Sequence, residues 1–500
     1  MINDRITNLL ILMLFLVFGF LGILHHEMWR DELQAWLIAR DSHTVPQLFE
    51  NFRYEKHPFL WYVMLYGLTR LTDNPFSMQV LHLIIAASAL AVFLYFSPFT
   101  KLQKFLFSFG YFPFYEYAVK SRNYALGVLF VFLLCAFIPE RRKKHFLIAV
   151  FLFLLCQTNV FGLVLAFALG CTLIAEACFD SNFRSGLSQK KGYAALSLLI
   201  FLAGVAIATF QTMPTPEEWT GIVSGKGMHG SAAISGIRKV SQSYLPGGAP
   251  PKIKPILGIS KTQDFYLACA LLLFSIFLFL EKPFVLSWYG LGTFVILLFF
   301  SILYKGQTRH HGSLFILWIA CLWIAHYFKR ISLKPQWLNS LSGFFQKCQT
   351  PLLFLVLSVH FAAGIQAHLK DWKFPYSPNQ EVVTFIKKHQ LEQMVWLGHE
   401  DVVASPLTAY FRKKIYSVRG DRFGSFVIFG PERKWGRIAD QVVLQKAKKI
   451  TRHSKKDVLL ILSEKLDTPP DSVTKLEQFT NGLSSSEKYY LYVMKYIKTI

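Results

Sequence analysis

The 500 residues are 53% hydrophobic, include 48 Phe, and carry 53 Lys+Arg against 30 Asp+Glu, a formal net charge of +23. The apolar residues gather in runs near the roughly 20 needed to cross a bilayer, which excludes a string of soluble domains. The charge then loses its nucleic-acid meaning, because the basic residues cluster in short segments beside those runs, as membrane topology requires. An anionic lipid or lipid-phosphate partner remains compatible.

The first run, Leu9 to Leu24, is not followed by a small-residue cleavage site and reads as a retained span. Taking Arg141–Lys144, Lys329–Lys334, Lys101/Lys104 and Arg184–Lys191 as cytoplasmic predicts about eleven spans. They are 9–24, 77–97, 102–117, 122–138, 145–158, 160–178, 192–211, 264–281, 284–303, 312–328 and 351–368. The amino terminus is then cytoplasmic and the carboxyl end extracytoplasmic. The seven cysteines lie in or beside apolar runs, show no metal-ligand spacing and read as small hydrophobes.

Between the first two spans the chain reads His-Glu-Met-Trp-Arg-Asp-Glu from His26, and later Glu55-Lys56-His57-Pro58. Leu33, Trp36, Leu37 and Arg40 recur at helical spacing, and Pro58 suits the first turn of a helix. Two interfacial helices in the first outer loop are therefore expected, with Trp36 at headgroup level. The segment 212–262 is rich in Gly, Pro and Ser and reads as a long polar loop, either a lid over an outer cavity or a plain connector.

The composition changes near residue 370. Short β-rich stretches (394–397, 415–418, 426–429, 458–462 and 489–494) alternate with helical ones (381–389 and 437–450). The expected organisation is an all-α polytopic membrane part, 1–369, and a small α/β extracytoplasmic domain, 370–500. Gly420–Gly424 lacks the strand–turn–helix setting of a phosphate loop, so no catalysis is expected in the latter.

The chemistry-bearing residues fall at the outer ends of the expected spans. They are Asp31 and Glu32; Lys56 and His57; Glu116, Lys120 and Arg122; Gln157 and Asn159; and Arg309, His310 and His311. Acids at a membrane boundary are costly unless something needs them there. A carboxylate in a partly dry pocket can be tuned as a general base, and Arg or His beside it can hold phosphate. The plainer readings are a solvated helix cap for Asp31 and headgroup anchors for Lys120, Arg309 and the His pair. Adjacent histidines on a helix diverge, so His310-His311 is a weak metal pair.

With Trp29-Arg30-Asp31-Glu32, Glu55-Lys56-His57-Pro58 and Ser121-Arg122-Asn123-Tyr124 in view, the chain resembles the glycosyltransferase-C superfamily. The bacterial branch related to protein O-mannosyltransferases and aminoarabinose-to-lipid-A transferases is the most similar. The resemblance covers about residues 5–180 by motif and the remainder by architecture. It implies an enzyme of the bacterial inner membrane, moving a sugar with inversion from a polyprenyl-phosphate donor to an envelope glycan, lipid or protein acceptor.

On that resemblance Asp31 is the catalytic base and Glu32 its assistant. Lys56, His57, Glu116, Arg122, Tyr124, Arg309 and His310 contact substrate or the lipid phosphate. The chain departs from the family where Phe59, not a second Pro, follows Pro58. Some superfamily members use a divalent cation, and the Asp-Glu pair leaves metal dependence open. A transporter or flippase, and a non-catalytic scaffold, are the competing classes. A transporter predicts internal repeats with helices broken at mid-membrane, and no repeat is evident.

Overall fold

A computed structural model describes residues 2–181, 184, 191–213, 230–247, 260–433, 436–484 and 486–497. Among them, seven helices are long and apolar enough to cross a membrane. They are α1 (Ile2–His25), Phe76–Phe96, Val160–Phe179, Lys191–Thr212, Lys261–Phe279, Pro283–Ile302 and Trp337–Lys373. Helix α1 shows why. Asn8, Ile11, Phe15, Gly19 and Ile23 form a buried stripe at helical spacing, while Leu9, Leu10, Met13, Val17 and Phe18 on the other face are exposed yet apolar. A helix hydrophobic all round needs lipid on the side its neighbours leave bare.

The expected eleven spans are thus not all present as long apolar helices. The run 102–117 breaks into Lys101–Ser108 and a π-helical turn, Tyr111–Glu116. The runs 122–138 and 145–158 give helices of 14 and 12 residues, Tyr124–Phe137 and His145–Cys156. At 1.5 Å per residue these span roughly 20 Å, short of a ~30 Å hydrocarbon core. The run 312–328 corresponds to Thr308–Ala325, buried at every position from His310 onward. It is a core helix, packed about by protein.

The break at 109–123 is buried, where irregular backbone is tolerated in a membrane protein. It fits because Gly364 of the helix Trp337–Lys373 lies against it. A Cβ there would come within 2.4 Å of the Phe109 carbonyl oxygen.

The first loop holds three helices: α2 (Arg30–Asp41), α3 (Val45–Phe52) and α4 (Leu60–Thr69). Helix α4 has the half-exposed character of an interfacial helix, burying Trp61, Tyr62 and Leu65 while Val63 and Gly67 stay exposed, and α3 shares it, burying Leu48 and Phe52 while Val45 and Phe49 stay exposed. Helix α2 is buried from Glu32 to Arg40, with Trp36 fully inaccessible. Trp36 is not at a headgroup surface, because it packs into the core of the helical bundle while the carboxyl-terminal region covers another side of α2.

That region is a six-stranded mixed sheet in the order β3-β2-β1-β4-β6-β5. The strands are β1 (Val395–Gly398), β2 (Ile415–Ser417), β3 (Arg422–Gly424), β4 (Val458–Leu462), β5 (Val473–Phe479) and β6 (Tyr489–Met494). The central β1 runs parallel to β2 and β4, and the outer pairs are antiparallel. Along β4 the side chains alternate between two cores. Leu459 and Ile461 pack with Val382 and Ile386 of the helix Asn379–Lys388; Val458, Leu460 and Leu462 pack with Val443 and Ala447 of the helix Asp440–Ser454.

Of the long loop 212–262, residues 230–247 form two helices, Gly230–Ile237 and Lys239–Tyr244, of which the second is built into the bundle. Ser243 bonds the His311 carbonyl and the Phe315 amide, and Tyr244 stacks on Trp318. The lid expectation rests mainly on 214–229 and 248–259, outside the described residues.

Candidate functional site

Helix α2 is held on two sides. Toward the bundle, Glu32 at its third position bonds back to the Trp29 amide (3.2 Å), the cap that starts the helix. The other Glu32 oxygen accepts from the Ser121 amide at 2.6 Å. Glu32 Oε2 also meets His26 Nε2 at 2.9 Å, and His26 Nδ1 meets Asp371 at 2.7 Å. Burial alone would lower the His26 pKa, but the Asp371 and Glu32 carboxylates prevail and raise it to about 10. His26 is a buried imidazolium between two acids.

Toward the sheet region, Gln34 pairs with the Val427 backbone in both directions, at 2.8 and 3.0 Å. Arg40 donates to the Thr408 carbonyl at 3.0 Å, and the Arg30 amide donates to Glu487 at 2.8 Å.

A cavity of about 770 Å³ opens where these two sides meet. Asp31, Lys56, His57, Arg122, Tyr124, Arg309 and His310 all line it, and Val402, Ser405, Val427 and Phe429 of the sheet region close one side. Among the described residues, four cations, Arg30, Lys56, Arg122 and Arg309, share the wall with two carboxylates, Asp31 and Glu55. Such an excess suits an anionic ligand.

Asp31 is the hub of the wall. Arg309 donates to its carboxylate at 2.7 Å, Arg30 lies 3.6 Å away, and Arg122 donates to its backbone carbonyl. Burial pushes the Asp31 carboxyl up, but Arg122, Arg309 and Arg30 together hold it below the usual range. His57 faces the opposite field. Burial and then the guanidinium groups of Arg122 and Arg309 press its pKa down to about 3, so it stays neutral. Its Nε2 lies 3.4 Å from the Arg122 guanidinium, which can only donate, so that nitrogen accepts and the ring proton sits on Nδ1.

Arg309 is steadied by its carbonyl, which accepts from Tyr117, and by the Trp29 ring 5.3 Å from its guanidinium. His310 stands against Tyr124 and Tyr304, with Nδ1 accepting from the Gln307 amide at 2.7 Å. Asn159 also reaches the wall, capping the helix Val160–Phe179.

No family model, curated protein or solved structure matches this chain. Among the described residues, no three His, Cys, Asp or Glu side chains cluster as metal ligands would. Asp31, bonded to one guanidinium and flanked by two more, is poorly disposed to ligate a cation.

Glu32 and Glu116 do not reach the cavity. Glu32 is spent on the His26 network. Glu116 is buried behind it, bonded to Tyr111 at 2.7 Å and Lys120 at 3.0 Å, with the Lys120 ammonium over the Tyr115 and Tyr376 rings. Lys120 is therefore no headgroup anchor, and the expected convergence of all the polar residues is partial. Gln157 turns away to the Gly204 carbonyl, and His311 faces Phe300.

Sequence reasoning passed over Gln34 and Glu55, although Glu55 stands beside Lys56 and His57 in the same motif. The signal for Gln34 is that it shares a helix face with Arg30 and Asp31, four and three positions before it. It also missed Val427 and Phe429, taken for a strand but forming a loop bound to Gln34.

Proposed function

We propose that this chain is an integral-membrane glycosyltransferase. It moves a sugar from a polyprenyl-phosphate donor to an acceptor on the outer face of the bacterial inner membrane, with inversion at the anomeric carbon. The observation that carries the reading is the cluster of Asp31, Arg122 and Arg309, drawn from three distant segments to one cavity wall at the end of α1. A lipid-linked phosphate presents an anion at this depth, and two guanidinium groups are suited to hold it and to stabilise the charge it gains on leaving. Neutral His57 and the Tyr124 hydroxyl add uncharged polar contacts for a sugar. The sheet region, pressed over the same cavity, gives an acceptor a second surface and limits water.

Membranes from cells expressing the chain, given labelled undecaprenyl-phosphate sugars and extracted envelope lipids, test this directly. Wild type should form a labelled product, and Arg122→Ala and Arg309→Ala should each lower the rate by roughly tenfold or more, as loss of a charge-assisted bond predicts. Absence of product across pentose and hexose donors, in membranes where the chain is folded, would sink the reading.

A further inference from the structure

The two carboxylates of the cavity wall have opposite surroundings. Asp31 is committed: its Oδ2 accepts from Arg309 at 2.7 Å, and Arg30 stands 3.6 Å from Oδ1. Glu55 has no Lys, Arg or His within ion-pair distance among the described residues. Its Oε1 accepts from the Gln34 amide at 2.7 Å, and the Tyr62 hydroxyl lies 3.4 Å from Oε2. The Gln34 amide cannot flip without losing two bonds to the Val427 backbone, so the sheet region fixes the donor that holds Glu55.

We infer that Glu55, not Asp31, takes the proton from the acceptor hydroxyl, and that Asp31 is a positioning residue that sets Arg122 and Arg309. The inference rests on the transferase reading above and assigns the base within it.

The chemistry follows the surroundings. A base must be able to release as well as accept a proton near the working pH. Burial, opposed by Gln34 and by the Arg122 charge, raises Glu55 to about 7, whereas the guanidinium groups hold Asp31 low. Two acids in one site, pushed apart by their surroundings, divide acid–base work from electrostatic work. In the step itself the acceptor O–H bond breaks and its proton passes to a Glu55 oxygen. The acceptor oxygen bonds to the anomeric carbon, and the bond from that carbon to the phosphate oxygen breaks. The electron pair leaves on the lipid phosphate, beside Arg122 and Arg309, and Glu55 returns its proton to water.

The test compares wild type, Glu55→Gln, Glu55→Asp and Asp31→Asn in membranes holding the full chain. Transfer from labelled undecaprenyl-phosphate sugars is followed from about pH 5 to about pH 9, and binding of undecaprenyl phosphate is measured on the same samples. Wild-type transfer should rise with pH through about 7. Glu55→Gln should bind undecaprenyl phosphate as wild type does, transfer roughly 10²–10⁴-fold more slowly, and lose that rise; Glu55→Asp should recover part of the rate. Asp31→Asn should weaken binding and keep the rise. A Glu55→Gln rate within about threefold of wild type, an intact rise, or loss of binding in that variant overturns the assignment of the base. Wild type that binds undecaprenyl phosphate but transfers nothing overturns the transferase reading and this inference with it.

Discussion

Asp31 and Arg309 stand 278 positions apart in the chain and 2.7 Å apart in space, joined across the cavity wall. The pair ties the start of α2 to the first turn of the core helix Thr308–Ala325. In a double-mutant cycle on Asp31→Asn and Arg309→Gln, read by undecaprenyl phosphate binding, we expect a coupling of about 0.5–3 kcal/mol. Additive losses would mean that the two act separately.

His26 between Asp371 and Glu32 predicts a second outcome. Its pKa is raised to about 10 from the ordinary 6.5. Below pH 6.5 the imidazole is charged in both folded and unfolded chains, and the network contributes in full; that contribution is lost as pH rises through about 10. His26→Ala should lower stability by about 3–5 kcal/mol, because two buried carboxylates are left facing each other. Thermal unfolding of the detergent-solubilised chain against pH measures both effects.

The contact between α2 and the sheet region carries its own pH response. Burial raises Glu487, bonded to the Arg30 amide, to about 7, and burial raises Glu27 to about 7 as well. Both keep a proton when folded that an unfolded chain sheds near pH 4.3. The folded state therefore binds more protons in that window. The contact is firmest below it and weakens as pH climbs to about 7. Hydrogen exchange of residues 30–41 should speed up across that range, and Glu487→Gln should flatten the response.

Gly364 supplies a structural test. An added Cβ would strike the Phe109 carbonyl oxygen at 2.4 Å and push the π-helical turn aside. Gly364→Ala should cost about 1–3 kcal/mol and reduce transfer, since the same turn leads into Ser121 and Arg122. A variant with unchanged melting temperature and activity would show that the turn can shift freely.

Much of this was legible in the sequence. The run 77–97 became the helix Phe76–Phe96 because it carries no Asp, Glu, Lys or Arg over the length of a span, and the strand 489–494 falls on β6 because Tyr-Tyr-Leu-Tyr-Val-Met is a short unbroken apolar and aromatic run. The run 102–117 misled because hydropathy ignores Pro113 and Gly110, which bar a straight helix. Strand β5, Val-Thr-Lys-Leu-Glu-Gln-Phe, is a largely exposed edge with little apolar signal. Helix α2 read as interfacial because nothing in its own residues reveals what covers it. At the site, Asp31, Lys56, His57, Arg122 and Arg309 were findable from their position beside apolar runs. Glu55 was not, because three consecutive side chains reach one cavity only where the chain bends at Lys56, whose φ of 55° is left-handed.

The covering of α2 also sets an order of assembly. Arg30 takes its partner from Glu487, 457 residues further along. At about 5–20 residues per second, a ribosome needs roughly 20–90 s to travel between them. For that interval a nascent chain has its early helices in the membrane but no finished cavity. Its cationic wall can first be enclosed only after Val402 to Phe429 have been made, and the Glu487 tie to α2 comes later still. Incomplete chains that stop before Phe429, from truncated messages or stalled synthesis, would thus lack an enclosed cavity by construction, whatever lipid they met.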